Sequence, residues 1–304
     1  MTAALGTLGA SGGGHRGSGE TMGQVVRADA AFVARVRRDT TRVVETAPGA
    51  VLSWAATHLL AEHGWRWRPS GAVPASDAVG DLLHVDLTIE HAPSPRLVLA
   101  TTPARFLAAF DRTVTHSLYE GAEALSPSAL TALAERRSPA SSTFVVSSPD
   151  ATVGGLLVVE RGPRSVFETL RVVVAIDDRR VLRDGLEAGL QAVSQGRHPQ
   201  SGLFSTSRGR LDGVTEPVLR GPTTPLAVFA GVRAVRTRGL RGRIDQLGGT
   251  PVGPVRAPGA LFWFDGDEPQ RWLAAVDLAR GVRATDLHRA TSSRDDGTRT
   301  GEVR

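Results

Sequence analysis

Cysteine, lysine and asparagine are absent from the 304 residues, and tyrosine occurs once. Without cysteine there is no disulfide, no thiol nucleophile and no thiolate-ligated zinc or iron–sulfur cluster. Without lysine there is no Walker phosphate loop. No Gly-x-Ser-x-Gly elbow is present, and no Gly-x-Gly-x-x-Gly follows a strand. No stretch approaches the ~18 consecutive apolar residues of a membrane span. The amino terminus also lacks a basic start followed by an apolar run of signal-peptide length, so a cytoplasmic protein without membrane contact is expected.

All 36 basic residues are therefore arginine, set against 31 acidic ones for a net charge of +5. So one-sided a choice is what a GC-rich, actinobacterial-type genome produces, and arginine abundance by itself says little about function. The sequence pI of about 11.0 follows from the missing lysine and cysteine. A charge of +5 does not argue for nucleic acid as the partner.

What is present is apolar enough, at 41% hydrophobic, to bury a sizeable core in one large domain or two small ones. The segment from Val166 to Gln195 organises it. Val172-Val-Val-Ala-Ile176 is an unbroken β-branched run that predicts a strand buried on both faces. The acidic pair Asp177-Asp178 then caps a helix with apolar residues at 181, 182, 186, 190 and 193.

Upstream, apolar residues at 25, 26, 32, 33, 36, 43 and 44 predict an amphipathic helix over 25–45, followed by a second over 51–63. Trp65 and Trp67 share one face of a short strand. Leu82 to Ile89 alternates as a half-buried strand, with 96–100 expected as its antiparallel partner. Thr102-Pro103 and Ser126-Pro127 open two helices. Residues 143–147 and 153–160 form a hairpin around Pro149-Asp150. Residues 196–225, low in apolar content, read as a long irregular connection. Strands are expected over 226–235 and 260–264, and a last helix from Asp267 carries Trp272, Leu273, Val276 and Leu278. Trp65, Trp67, Trp263 and Trp272 are expected in the core or at an interface.

Three local resemblances accompany this pattern. Arg171-Val-Val-Val-Ala-Ile-Asp-Asp-Arg-Arg-Val-Leu-Arg-Asp-Gly-Leu186 resembles the first strand and helix of response-regulator receiver domains, whose acidic pair binds magnesium; the lysine that family needs has no counterpart. Gly239-Leu-Arg-Gly-Arg-Ile-Asp-Gln-Leu-Gly-Gly249 resembles the closing segment of histidine-kinase ATPase domains, without that family's asparagine. Arg256-x-Pro258 with Trp263-x-Asp265 resembles the closing hairpin of actinobacterial ESX-secretion-associated chaperones, and implies a chaperone-like function tied to secretion. The rest of the chain departs from that pattern.

Potential chemistry concentrates in two places. On the Leu82–Ile89 strand, His84, Asp86 and Glu90 point to one side and His91 to the other, so three side chains could serve one ion or one substrate as catalytic groups. The same residues also make an ordinary solvent face. Arg233, Arg236, Arg238, Arg241 and Arg243 crowd a segment in which Gly239 and Gly242 let backbone approach a ligand, which suits a small anion. A third pair, His116 and Tyr119, has acid–base chemistry.

The whole reads as an α+β protein of mixed sheet and packed helices, a single domain over 23–285 with a seam near 138, between disordered tails at 1–22 and 286–304. Because the common catalytic motifs are missing, the expected function is non-catalytic binding or scaffolding of a protein or small anionic partner, with no cofactor and no resident metal. Its rivals are a metal-assisted or acid–base enzyme built on His84, Asp86 and Glu90, and the chaperone-like protein of the third resemblance.

Overall fold

The computed structural model describes residues 24–38, 42–71, 76, 78–176, 178, 180–195, 198–216, 223–278 and 280. The expected tails at 1–22 and 286–304 lie outside the described residues, as does Asp177 of the acidic pair.

The fold is mixed α+β. Its amino-terminal part runs β1 (Val25–Val26), α1 (Ala30–Arg38), β2 (Val43–Pro48), β3 (Val51–Ser53), α2 (Trp54–Glu62) and β4 (Arg66–Ser70). The expected 25–45 helix is thus cut to nine residues with a strand on either side. Phe32, Val33 and Val36 are its buried stripe, whereas Val44 is buried from β2, which pairs in parallel with β4. Four β-branched residues in 40–44 weigh against helix at that point. In α2 the Ser53 Oγ accepts the Ala56 N–H and caps the first turn. The same hydroxyl donates to Glu120 Oε2 at 2.5 Å.

The main body continues with β5 (Val79–His91), α3 (Thr101–Ala108), β6 (Thr115–Ser117), α4 (Pro127–Arg137), β7 (Ser142–Ser147), β8 (Val153–Arg161), β9 (Val166–Ile176) and α5 (Arg180–Ser194). There follow β10 (His198–Arg210), β11 (Val214–Thr215), β12 (Thr224–Ala230), α6 (Val232–Thr237), a 3-10 turn at Asp245–Leu247, β13 (Gly249–Val252) and β14 (Gly259–Trp263). A last helix, α7, occupies 268–278. Nine of these strands form one sheet in the order β13-β14-β12-β10-β5-β9-β8-β7-β6, every neighbouring pair antiparallel, and the sheet takes strands from both sides of Ser138.

The helix at Ser126-Pro127, the 142–161 hairpin and the β9–α5 unit stand where the sequence places them. Beside the shortened first helix, the second helix starts at Trp54 after the strand β3, Trp272 is 49% exposed on α7 rather than in the core, and three further expectations are overturned. Residues 92–100 form turns rather than a strand, and the partners of β5 are β9 and β10. Residues 226–235 break at Gly231 into a strand and a helix, because Gly231 N–H bonds Gln200 O and turns the chain. Most consequentially, the supposed irregular connection contains β10, thirteen residues long and fourth from one edge of the sheet.

Two adjacent rows of side chains across the sheet explain its layers. One row runs Phe144, Leu157, Leu170, Leu87, Gly202, Phe229, Leu261 and is apolar throughout. It is covered by Phe106, Leu107 and Phe110 of the α3 segment, Leu130 of α4 and Leu182, Leu186 and Leu190 of α5, all in one core. Gly185 and Gly189 let α5 close on α3: a Cβ at either would meet the Phe110 or Phe106 ring at 2.8–2.9 Å. The other row, on the opposite face, runs Val145, Leu156, Arg171, Asp86, Leu203, Val228, Phe262. Its first two members pack in a cluster with α1 and α2, and its last packs with Val235, Leu240 and Ile244 around α6. Between those two coverings lies a polar strip.

Candidate functional site

Alternation along β5 carries His84, Asp86, Thr88 and Glu90 to the strip, as the sequence predicts. Burial differs from one to the next. His84 and Glu90 are half-buried, while the Asp86 side chain keeps 49% of its exposure. Arg171, its direct neighbour on β9, sends Nε to 3.4 Å from Asp86 Oδ2 and an Nη1 hydrogen bond to Glu62 of α2. One guanidinium therefore ties the rim helix to the sheet. With side chains this open to water, the Arg171–Asp86 pair contributes about 0–1 kcal/mol to stability and leaves its charge readable from outside.

His84 turns away from this pair. Its Nε2 lies 2.8 Å from Ser207 Oγ of β10, two positions from its direct neighbour Ser205. Burial, with the nearby His58, pushes the His84 imidazole down to about 4, so it is neutral at pH 7. Partial burial raises the Asp86 carboxyl above its ordinary range. A serine and a neutral imidazole in contact are two parts of an acid–base relay, but the third is missing: among the described residues no carboxylate orients the other His84 nitrogen. Nor do three or more histidine, aspartate or glutamate side chains among the described residues gather as a metal site.

The arginine set separates. Arg233, on α6, reaches Glu90 Oε2 at 3.9 Å, so the two candidate groups meet at one end of the strip. Arg236 lies in the last turn of α6, and Arg238, Arg241 and Arg243 follow in the turns leading to Asp245–Leu247. His116 and Tyr119 also part. His116 is buried at the edge strand β6, opposite Val146 on the α3 side of the sheet, whereas Tyr119 packs among the α1–α2 cluster.

Sequence reasoning missed three members of the strip: Arg171, Ser207 and Leu203. Leu203 is 52% exposed although it lies in the interior of a nine-stranded sheet. It also missed the buried pair on the far face. His91, whose parity sends it away from His84, places Nε2 2.5 Å from Glu168 Oε2, with both side chains fully shielded from solvent. Glu168 Oε1 accepts the Ala100 N–H at 2.5 Å. Ala100 holds φ +66° just before α3 and offers no side-chain cap, so a carboxylate from the sheet takes the position at the helix N-terminus. Thr102, the expected cap, lies inside the helix.

The family model described as DUF6177, C-terminal domain, matches residues 82–284, which takes in all but the first three residues of the nine-stranded sheet. No curated protein matches the chain. Among solved structures it is similar to a Pseudomonas aeruginosa T6SS protein at 10% identity and a TM-score of 0.40, over 67% of this chain and 77% of that one. Among the described residues no helix is long and apolar enough to cross a membrane.

Proposed function

The chain belongs to the DUF6177 family, and we propose that it acts as a non-catalytic binding protein whose protein partner lies across the strip between α2 and α6. The observation that carries this reading is Leu203: a large apolar side chain half open to water, flanked in register by Asp86 on one side and Val228 on the other. An apolar centre inside a rim of mixed charge, here Arg171, Glu62, Glu90 and Arg233, is the anatomy of a protein-binding patch. A small ligand would find little enclosure on such a face.

The test is photo-crosslinking in cells that make the protein. A crosslinking residue at position 203 is expected to give a discrete adduct that Asp86→Arg or Arg171→Glu abolishes. One at position 255, where Val255 is 93% exposed outside the strip, gives none. Equal adducts at both positions, or none at 203, would overturn the reading. The acid–base alternative rests on His84 and Ser207. It gains the lead if the protein turns over a panel of activated esters and Ser207→Ala and His84→Ala each stop it.

A further inference from the structure

Among the described residues, seven large apolar side chains stand open to water, and three of them, Val98, Val181 and Val255, are valines scattered singly along the chain. Residues of that kind need no explanation. The other four are Leu203 in the strip and Trp272, Leu273 and Val276, which share one side of α7 at 49%, 64% and 43% exposure. Leu278 anchors α7 from its other side, packed against Val235, Leu240, Ile244 and Phe262. Phe262 stands in the same row of side chains as Leu203. The open face of α7 and the open strip therefore lie on one side of the sheet.

We propose that the partner in the strip is a second copy of this chain, each copy seating its α7 in the other's strip about a two-fold axis. This rests on the strip being a protein-binding surface, and it names what binds. The dimensions agree. The eleven residues of α7 over 268–278 are about 16 Å long at ~1.5 Å per residue, and the strip from His84 to Glu90 is about 20 Å long at ~3.4 Å per residue. Its two strands, β5 and β10, are together about 10 Å across, the diameter of one helix. The charges agree as well. Glu62, Asp86 and Glu90 outnumber Arg171 and Arg233, so the strip carries a surplus carboxylate. On α7, Arg280 stands one turn beyond Val276 on the open side, and its 3.5 Å pairing with Asp277 is so exposed that it breaks at little cost. A cation about 6 Å from the apolar face of the helix thus meets Asp86, the direct neighbour of Leu203 at about 5 Å. Because helix and strip share one side of the sheet, a single face-to-face contact uses each of them twice and leaves neither open to recruit a third copy.

The chain has no cysteine, so introduced ones report this contact alone. Leu203→Cys and Trp272→Cys, purified separately, mixed and oxidised, are expected to give a disulfide-linked heterodimer. Leu203→Cys mixed with Val255→Cys is expected to give none. In analytical ultracentrifugation the full chain should dimerise with a Kd in the micromolar range. Leu273→Glu, at a side chain already 64% exposed, should weaken the dimer at least about tenfold, and so should Asp86→Arg. Combining Asp86→Arg with Arg280→Asp should restore most of the affinity, because the two charges are then exchanged. A chain that stays monomeric at about 100 μM, or a dimer indifferent to both Leu273→Glu and Asp86→Arg, overturns the proposal. If the monomeric chain still crosslinks in cells from position 203 to a different protein, the second copy is ruled out while the strip remains a binding surface. If it is monomeric and gives no adduct at 203, both readings fall.

Discussion

Glu168 Oε2 lies 2.5 Å from His91 Nε2 in a region that water does not reach, while the other oxygen of the same carboxylate holds the amide of Ala100. The pair joins β5, β9 and the start of α3 at one point. Its position explains why a residue with no cap of its own can begin a helix there.

Removing one partner leaves the other's polar group buried and uncompensated. We expect Glu168→Ala to cost about 3–5 kcal/mol, with His91→Phe plus Glu168→Leu recovering part of that loss: the imidazole is then no longer stranded, although the Ala100 N–H still lacks its acceptor. Urea unfolding of the three proteins checks it. A loss below ~1 kcal/mol in Glu168→Ala would mean that the pair is not buried as described.

The strip side of the sheet carries two apolar residues of opposite consequence. Val173 is 3% exposed and packs beneath Trp54 with Leu82 and Ala175, so Val173→Asp should abolish soluble, folded protein. Leu203→Ser, on the same face, should change stability by no more than about 0.5 kcal/mol. Expression and thermal melting of the two variants separate them.

A Cβ at Gly231 would stand 2.0 Å from the Pro199 carbonyl oxygen and 2.7 Å from that of Gln200. Both are backbone atoms of β10 and cannot swing aside. Gly231→Ala is therefore expected to cost about 1–3 kcal/mol, read as a lowered denaturation midpoint. Gly242→Ala, where nothing lies within 4 Å, serves as the control.

Acid should destabilise the fold through two histidines. His84 and His116 are both pushed from 6.5 to about 4, so between those values the unfolded chain binds protons that the folded one refuses. Their contribution is fully present above pH 6.5 and is lost as pH falls towards 4, by about 3 kcal/mol apiece at most. Denaturant melts at pH 7, 5.5 and 4.5 should show the decline, and His84→Gln should flatten part of it.

Elements with a local signature were legible in the sequence. Ser126-Pro127 announces α4, the β-branched run announces β9, and the 3–4 spacing of Leu182, Leu186, Leu190 and Val193 announces α5. Val181 belonged to that pattern but is 47% exposed. What escaped was long-range. β10 shows no apolar alternation because Ser201, Ser205 and Ser207 face the polar strip while Gly202 and Phe204 fill the core. The parity of His91 was readable, but Glu168 became its neighbour only through a pairing that spans 77 residues. Arg171 likewise acquires its meaning from α2, which supplies Glu62.

The place of β10 in the sheet also bears on how the protein is made. β5 ends roughly a hundred residues before β10 begins, yet its edge is not closed until that strand arrives. A ribosome adding ~5–20 residues per second leaves the edge bare for about 5–20 seconds. In that interval the bare edge of β5, whose other edge pairs with β9, is a template for pairing with other chains. Because the last strand to reach it is rich in serine and glycine, late completion rests on backbone hydrogen bonds and the single ring of Phe204 rather than on hydrophobic collapse. Slow, topology-limited folding, and vulnerability to aggregation when synthesis outpaces it, are consequences of this one placement.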